Sequence, residues 1–341
     1  MQAGFRPLPV RGLIIPQNPP GIRPYLKIAA LLILCAANAF AQDIPAELML
    51  RAFSHCYPGK TGEVVFQDGD WTIRAGSETY YWADGRLLPR SLKDKPDSYA
   101  PLAFEIYPDA VPLPALFSDE YVKALRVHGD AEFQRLNADQ HYGFQGVLYG
   151  GTNRREIENS LQRISFLGKT ISVHRDIAAA LRRIDAQIRE AGAADTAEGR
   201  QIKEFLDSIG QIGGYNWREI RGSRRMSYHS WGLAIDIQPK KESGSAMYWM
   251  WERSHNDDWM LVPLSARWKP PDKVIEFFER EGFIWGGKWT LYDNMHFEYR
   301  PELHELNRLL ASSEGSYSVS GESARASSRD LHHLYPDGLL P

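Results

Sequence analysis

The chain has 341 residues, of which 43% are hydrophobic and 24% are charged, and its formal net charge is −3. These proportions are typical of a folded globular protein and exclude a largely disordered chain. The charges are nearly balanced, and no lysine or arginine block has interleaved aromatic residues, which argues against nucleic acid as a partner. The length suits one large domain or two modest ones.

A secretory signal is predicted near the start of the chain. Lys27 precedes a short apolar run at residues 28–37, and Ala39 and Ala41 supply small residues for cleavage. The run is shorter than the about 20 apolar residues that a membrane-spanning helix needs. We therefore expect an exported protein, periplasmic or otherwise extracytoplasmic, without a stable membrane span in its mature form. An uncleaved anchor and lipid attachment at Cys35 are the alternatives.

The region that follows the signal is predicted to be rich in β-structure. Short runs of β-branched and aromatic residues between Glu63 and Leu88 are separated by Asp68-Gly69 and Asp84-Gly85. Such pairs are typical of tight hairpin turns. A proline-rich passage comes next and favours irregular backbone. Nothing in this region indicates a function.

Helical periodicity begins further along the chain. Two amphipathic helices are predicted between Arg154 and Ala191, because apolar residues recur there at helical spacing. The recurring residues are Ile157, Leu161 and Ile164 in the first helix and Ile177, Leu181, Ile184 and Ile188 in the second. The predicted division of the chain is a signal at residues 1–41, the β-rich region at 42–150, a domain at 151–310 and a flexible serine-rich tail at 311–341.

The first window that suggests chemistry contains His229 and Asp236, separated by six residues, with Gly232 between them. Residues 233–237 have the pattern of a strand that turns Asp236 away from the buried aliphatic residues. Gly232 permits a sharp turn that returns His229 over the same face. The two side chains are therefore expected to lie close together.

The second window contains His296, with Asp293 three residues before it. Two imidazoles and one carboxylate, with a fourth position left for water, form the ligand set of a catalytic zinc site. We therefore predict that His229, Asp236 and His296 bind Zn²⁺. A nearby carboxylate that is not a ligand can act as the general base, and Asp293 fits this role.

Together, the two windows resemble the family of zinc D-alanyl-D-alanine carboxypeptidases and L-alanyl-D-glutamate endopeptidases, which act on bacterial cell-wall peptides. The family pattern is Ser-x-His, then Gly-x-Ala-x-Asp, then an acidic residue shortly before a final His. It stands here as Ser227-Tyr228-His229, Gly232-Leu233-Ala234-Ile235-Asp236 and Asp293-Asn294-Met295-His296. The order of all three elements agrees with the family, although each alone is weakly specific.

The resemblance implies an α+β fold: a small zinc-peptidase domain, with its core at residues 213–300, that has a central antiparallel sheet and flanking helices. The β-hairpin-rich region predicted above precedes this domain and is not covered by the resemblance. The implied reaction is hydrolysis of peptidoglycan stem peptides, first of all as a D-alanyl-D-alanine carboxypeptidase. The alternatives are an L-alanyl-D-glutamate endopeptidase and a wall-binding module without turnover. A further alternative makes the N-terminal region the main binding unit.

Further site residues follow from the same resemblance. An arginine before the first histidine polarises the scissile carbonyl in this family, and Arg218 matches that position, with Arg221 as its rival. Ser227 and Arg221 are assigned to substrate binding. Glu298 shares a strand face with His296, so it would either orient that ligand or be a solvated edge residue.

The two windows are separated by a segment that includes residues 241–269, the expected determinant of which bond is cut. Trp249, Trp251 and Trp259 lie in it and are interpreted as structural, because most large aromatic side chains contribute to a core or an interface.

Overall fold

The computed structural model describes residues 44–102, 106–126, 139–220, 224–240 and 245–317, with side chains described up to residue 312. The residues from Ile44 onward form one compact unit. The predicted signal at residues 1–41 lies outside the described residues, and the division at residue 150 stays a prediction. Among the described residues, no helix is both long and apolar enough to cross a membrane.

The N-terminal part of this unit is a helix followed by an antiparallel sheet. The elements are α1 (Ala46–Cys56), β1 (Thr61–Gln67), β2 (Asp70–Ala75), β3 (Glu78–Tyr81) and β4 (Leu88–Pro89), and the strands pair in chain order. Asp68 and Gly69 connect β1 to β2 with φ values of 52° and 81°. A two-residue hairpin turn needs this left-handed backbone, which explains the Asp-Gly pair.

Short helices connect this sheet to the rest of the chain. They are 3₁₀ helices at Pro96–Ser98 and Pro114–Leu116, a helical stretch at residues 119–126, α2 (Gly143–Tyr149) and α3 (Arg154–Glu158). The proline-rich passage is otherwise irregular in its described residues.

A β-hairpin replaces most of the first amphipathic helix that the sequence predicted. The strands β5 (Leu161–Phe166) and β6 (Lys169–His174) pair antiparallel around Leu167 and Gly168, whose φ values are 46° and 81°. Within β5, Ile164 and Phe166 are buried on alternate positions. The prediction was wrong because Leu161 and Ile164 fit a helical repeat by coincidence, whereas the alternating burial around a tight turn is the real pattern.

The second predicted helix is confirmed as α4 (Arg175–Ala193), which buries Ile177, Leu181, Ile184 and Ile188. Next comes α5 (Ala197–Ser208), whose first turn is capped by the Thr196 hydroxyl accepting from the Gly199 amide. The two helices pack on each other.

This second sheet has the strand order β7-β8-β10-β9, all antiparallel. The strands are β7 (Ile209–Gly213), β8 (Ala234–Pro239), β9 (Phe283–Trp285) and β10 (His296–Tyr299). Its other elements are α6 (Trp249–Arg253), α7 (Asp272–Arg280) and 3₁₀ helices at Tyr228–Trp231, Trp259–Leu261, Leu264–Ala266 and Gly286–Lys288. The Phe278 ring of α7 stacks on Phe297 of β10 with centroids 3.9 Å apart, so this helix covers the buried face of the sheet.

The last helix, α8 (Pro301–Tyr317), packs against α1 at the opposite end of the described chain. His55 Nδ1 lies 2.6 Å from a Glu305 carboxylate oxygen, and buried residues of both helices join one hydrophobic core. α8 extends into the region predicted as a tail, and residues 318–341 lie outside the described part. The α+β class expected from the sequence is confirmed.

Candidate metal centre

The centre is built on the two middle strands of the second sheet. Asp236 of β8 pairs directly with His296 of β10, and Gly213 of β7 is its partner on the other side. His296 Nδ1 lies 2.9 Å from Asp236 Oδ1. The register of the sheet therefore brings a carboxylate and an imidazole together.

His229 reaches the same point from the 3₁₀ helix at Tyr228–Trp231. The Ser227 hydroxyl accepts the His229 amide at 3.3 Å and caps this helix. Gly232 ends it with a φ of 68°, and a Cβ there would lie 2.7 Å from the His174 backbone nitrogen. Glycine is required both by the conformation and by the close approach. The turn places His229 Nε2 3.2 Å from Asp236 Oδ2.

One ligand atom each of His229, Asp236 and His296 lies within 4.8 Å of the others. The side chains of His229, Asp236 and His296 are 3%, 19% and 6% exposed. His229 Nδ1 lies 2.7 Å from the Gly214 carbonyl and donates to it, so Nε2 carries the lone pair. That buried Nε2 has no hydrogen-bond partner among the described residues. A lone pair so placed is what a metal ion requires.

Glu298 selects the tautomer of His296. His296 Nε2 lies 3.2 Å from Glu298 Oε2, and Arg300 Nη1 donates to the other carboxylate oxygen at 3.0 Å. The carboxylate accepts from a proton-bearing Nε2, so Nδ1 is the nitrogen that faces the centre and that loses its proton when a metal ion binds. Glu298 is only 1% exposed, so the interpretation as a solvated edge residue was wrong. Two imidazole nitrogens and a carboxylate oxygen are a donor set that fits Zn²⁺ with one position open.

The charged groups of the centre shift each other's pKa values. Burial disfavours the ionised form of Asp236, but His229 and His296 outweigh it and hold the pKa of Asp236 well below its usual range. Burial also lowers the pKa of His296, yet hydrogen bonds to Asp236 and Glu298 raise it overall to about 10. The metal-free centre therefore keeps a proton on His296 at neutral pH.

Asp293 lies beside these groups on the loop before β10. Burial and the neighbouring Asp236 raise the pKa of the Asp293 carboxyl to about 7, against the lowering effect of His296. Its buried Oδ1 has no hydrogen-bond partner in the described part of the chain. A carboxyl group with a pKa near neutrality can both take up and release a proton at working pH.

A cleft of about 230 Å³ opens at the centre. It is lined by Arg218, Ile220, Ser227, Asp236, Gln238, Tyr248, Met250, Trp251, Asp293, Met295 and His296. The exposed Arg218 side chain lines this cleft, and its backbone is fastened to Ser230 by hydrogen bonds of 2.8 and 2.9 Å. Arg221 lies outside the described residues. Ser227 lines the cleft while its hydroxyl serves as the helix cap.

The tryptophans of the segment between the windows differ in their surroundings. Trp249 and Trp259 are buried and pack on each other with ring centroids 4.9 Å apart, in agreement with a structural role. Trp251 is instead 46% exposed, lies edge-on to Tyr248 and lines the cleft. The interpretation of all three as structural therefore overlooked a side chain that faces the site.

Comparison with known proteins confirms the resemblance found in the sequence. A family profile described as D-alanyl-D-alanine carboxypeptidase matches residues 221–299, and a domain of unknown function matches residues 49–104. The chain is 32% identical over 129 residues to the peptidoglycan L-alanyl-D-glutamate endopeptidase CwlK of Bacillus subtilis (strain 168). That match covers 36% of this chain and 66% of CwlK, just under two thirds of its length. No solved structure matches the chain significantly.

Proposed function

We propose, from the resemblance of residues 221–299 to the D-alanyl-D-alanine carboxypeptidases, that this protein is a zinc peptidase that hydrolyses peptidoglycan stem peptides. One observation carries the proposal. The ring nitrogens His229 Nε2 and His296 Nδ1 meet the Asp236 carboxylate at one point, and the Asp293 carboxyl lies beside it.

In the proposed mechanism His229, Asp236 and His296 hold Zn²⁺, which supplies a Lewis acid and lowers the pKa of water. The Asp293 carboxylate takes a proton from the attacking water while the water oxygen bonds to the scissile carbonyl carbon. The Arg218 guanidinium donates to the carbonyl oxygen as negative charge develops there. Asp293 then gives the proton to the leaving amine while the carbon–nitrogen bond breaks.

The bond that is cut has two candidates. The family profile favours a D-alanyl-D-alanine carboxypeptidase, whereas the identity to CwlK favours an L-alanyl-D-glutamate endopeptidase. Both activities need the same metal, base and carbonyl donor, so the walls of the cleft decide between them. Tyr248, Met250 and Trp251 form the wall that the segment between the windows contributes.

The test is incubation of the purified protein with defined muropeptides, with and without a chelator, followed by mass analysis. Loss of one terminal alanine identifies a carboxypeptidase, and separation of L-alanine from D-glutamate identifies an endopeptidase. Zinc should restore cleavage after chelation. Absence of both chelator-sensitive cleavage and bound zinc would contradict the proposal that the protein is a zinc peptidase. Binding to sacculi without cleavage would support the wall-binding module.

We also propose that the protein is exported, because an apolar run at residues 28–37 follows Lys27 and precedes Ala39 and Ala41. N-terminal sequencing of the protein from the producing cell should give a chain that starts at Gln42. A chain that keeps the apolar run in the membrane fraction would support the uncleaved anchor instead.

A further inference from the structure

A chain of buried polar contacts links the candidate metal centre to the N-terminal region. We propose that Tyr57, immediately after α1, is a positioning residue for the zinc ligand His296 and acts through Glu302, Arg300 and Glu298. This inference rests on the zinc site of the proposed function. It gives a role to a region that the match at residues 221–299 does not include.

The first links lie on β10 and just after it. Glu298 holds Nε2 of His296 with one carboxylate oxygen and accepts from Arg300 Nη1 with the other, at 3.2 and 3.0 Å. Arg300 thus fixes the orientation of the Glu298 carboxylate by binding the oxygen that does not contact His296. Since Glu298 selects the tautomer of His296, Arg300 acts on His296 indirectly, through Glu298.

The next links join the first turn of α8 to the end of α1. Arg300 Nε donates to Glu302 Oε1 at 2.5 Å, and the Tyr57 hydroxyl donates to Glu302 Oε2 at 3.0 Å. Burial and the charge of Glu302 raise the pKa of Tyr57 well above its usual value, so the hydroxyl keeps the proton that it donates. Tyr57 therefore holds the Glu302 carboxylate in the orientation that Arg300 uses.

Burial makes the links depend on one another. The side chains of Glu298, Arg300 and Glu302 are 1%, 3% and 0% exposed. Water cannot readily replace a partner that is lost at such depth, so its neighbour either stays unsatisfied or turns to another group. A change at Tyr57 is thereby transmitted toward His296.

A second route connects the same groups to His229. The Arg300 guanidinium lies 4.8 Å from the centroid of the Tyr228 ring, and Tyr228 directly precedes His229. Tyr149 packs edge-on against both Tyr57 and Tyr228, with centroid distances of 6.1 and 6.3 Å. Arg300 and the tyrosines thus support both histidine ligands, and none of them lines the cleft.

Such a network is not explained by stability alone. Buried ion pairs often contribute little net stability compared with apolar residues of similar volume, because the desolvation cost offsets their attraction. This one ends on the ring nitrogen that determines which lone pair His296 presents. Hydrogen-bond partners of metal ligands typically change metal affinity by about 10- to 100-fold when they are replaced.

The test compares Tyr57→Phe, Glu302→Gln and Glu298→Gln in the full chain. Tyr81→Phe is the matched control, because the Tyr81 hydroxyl also donates to a carboxylate of the N-terminal region, Asp68, at 2.7 Å, away from the network. Zinc affinity is measured by competition with a chromophoric chelator well below the unfolding transition. The visible spectrum of the Co²⁺-loaded protein reports ligand orientation, and thermal unfolding reports stability.

We expect Glu298→Gln to weaken zinc binding about 10- to 100-fold and Glu302→Gln to weaken it less. Tyr57→Phe should weaken it about two- to fivefold, within the net worth of one hydrogen bond, and shift the Co²⁺ spectrum. In the Glu298→Gln background, Tyr57→Phe should weaken zinc binding less than it does in the wild type, because only the second route to His229 then remains. Tyr81→Phe should lower only the unfolding temperature.

Unchanged zinc affinity and Co²⁺ spectra in both Tyr57→Phe and Glu302→Gln, with lowered unfolding temperatures as in the control, would overturn the inference. It would also be overturned if Tyr57→Phe weakened zinc binding as much in the Glu298→Gln background as in the wild type. A wild-type chain that binds no zinc would contradict the proposed function as well. Zinc binding that depends on Glu298 but not on Tyr57 would contradict this inference alone.

Discussion

His296 and Asp236 face each other across two neighbouring antiparallel strands, with Nδ1 and Oδ1 2.9 Å apart. The main chain therefore fixes the separation of two of the proposed ligands. Asp236→Asn keeps the size of the side chain but removes its charge, so we expect zinc binding to weaken by more than about 100-fold, beyond the effect of replacing a ligand's partner. Zinc content after dialysis measures this, and an unchanged content would contradict the ligand assignment.

Asp293→Asn should separate metal binding from catalysis. The amide cannot take a proton from water, so kcat should fall about 10²- to 10⁴-fold while zinc stays bound. The measurement is muropeptide turnover by the zinc-loaded variant. Asp272→Asn, at an exposed carboxylate that begins α7, is the control and should behave as the wild type. Full turnover by Asp293→Asn would rule out this residue as the base.

The two candidate arginines form a natural pair for comparison. Arg218 lines the cleft, and its proposed role is to stabilise charge on the scissile carbonyl oxygen. Arg218→Met should therefore lower kcat about 10²- to 10³-fold, the usual loss on removing one oxyanion donor. Arg221→Met should change turnover little. The opposite order of effects would assign the role to Arg221.

Zinc affinity should depend on pH through His296. Its pKa is raised from 6.5 to about 10 in the metal-free protein, so the proton is present at neutral pH and zinc must displace it. Affinity should rise about tenfold per pH unit between pH about 6 and about 8, with one proton released. Calorimetry in buffers of different ionisation enthalpy counts that proton. Binding without proton release would show that His296 is neutral before zinc arrives.

Trp251 offers a test of substrate contacts. The side chain is 46% exposed in the cleft wall, so Trp251→Ala should raise KM about three- to tenfold, within the usual worth of an aromatic contact, and leave kcat nearly unchanged. Phe66→Ala is the control, because Phe66 is 61% exposed and does not line this cleft. Equal KM values for Trp251→Ala and the wild type would show that substrate does not touch this wall.

The sequence predicted which side chains meet at the centre in two ways. The spacing around Gly232 is a local pattern that places His229 near Asp236, whereas His296, 60 positions after Asp236, was added through the resemblance to the zinc peptidases. It failed at residues 161–174, where Leu161 and Ile164 satisfy a helical repeat and only the Leu167-Gly168 turn distinguishes a hairpin. The contact between Tyr57 and Glu302 could not be predicted, since 245 positions separate the two residues. Tertiary packing alone brings them together.

The packing of α1 on α8 also constrains the order of events during synthesis. The His55–Glu305 and Tyr57–Glu302 contacts join positions 250 and 245 residues apart, so the first helix lacks these contacts until the last one has been made. Contacts of such long range are formed late and slow the folding of a chain. A nascent chain that has not reached Glu302 lacks the Arg300–Glu302 ion pair, and one that has not reached His296 lacks a ligand. The candidate metal centre is therefore assembled only after translation has passed through nearly the whole described chain.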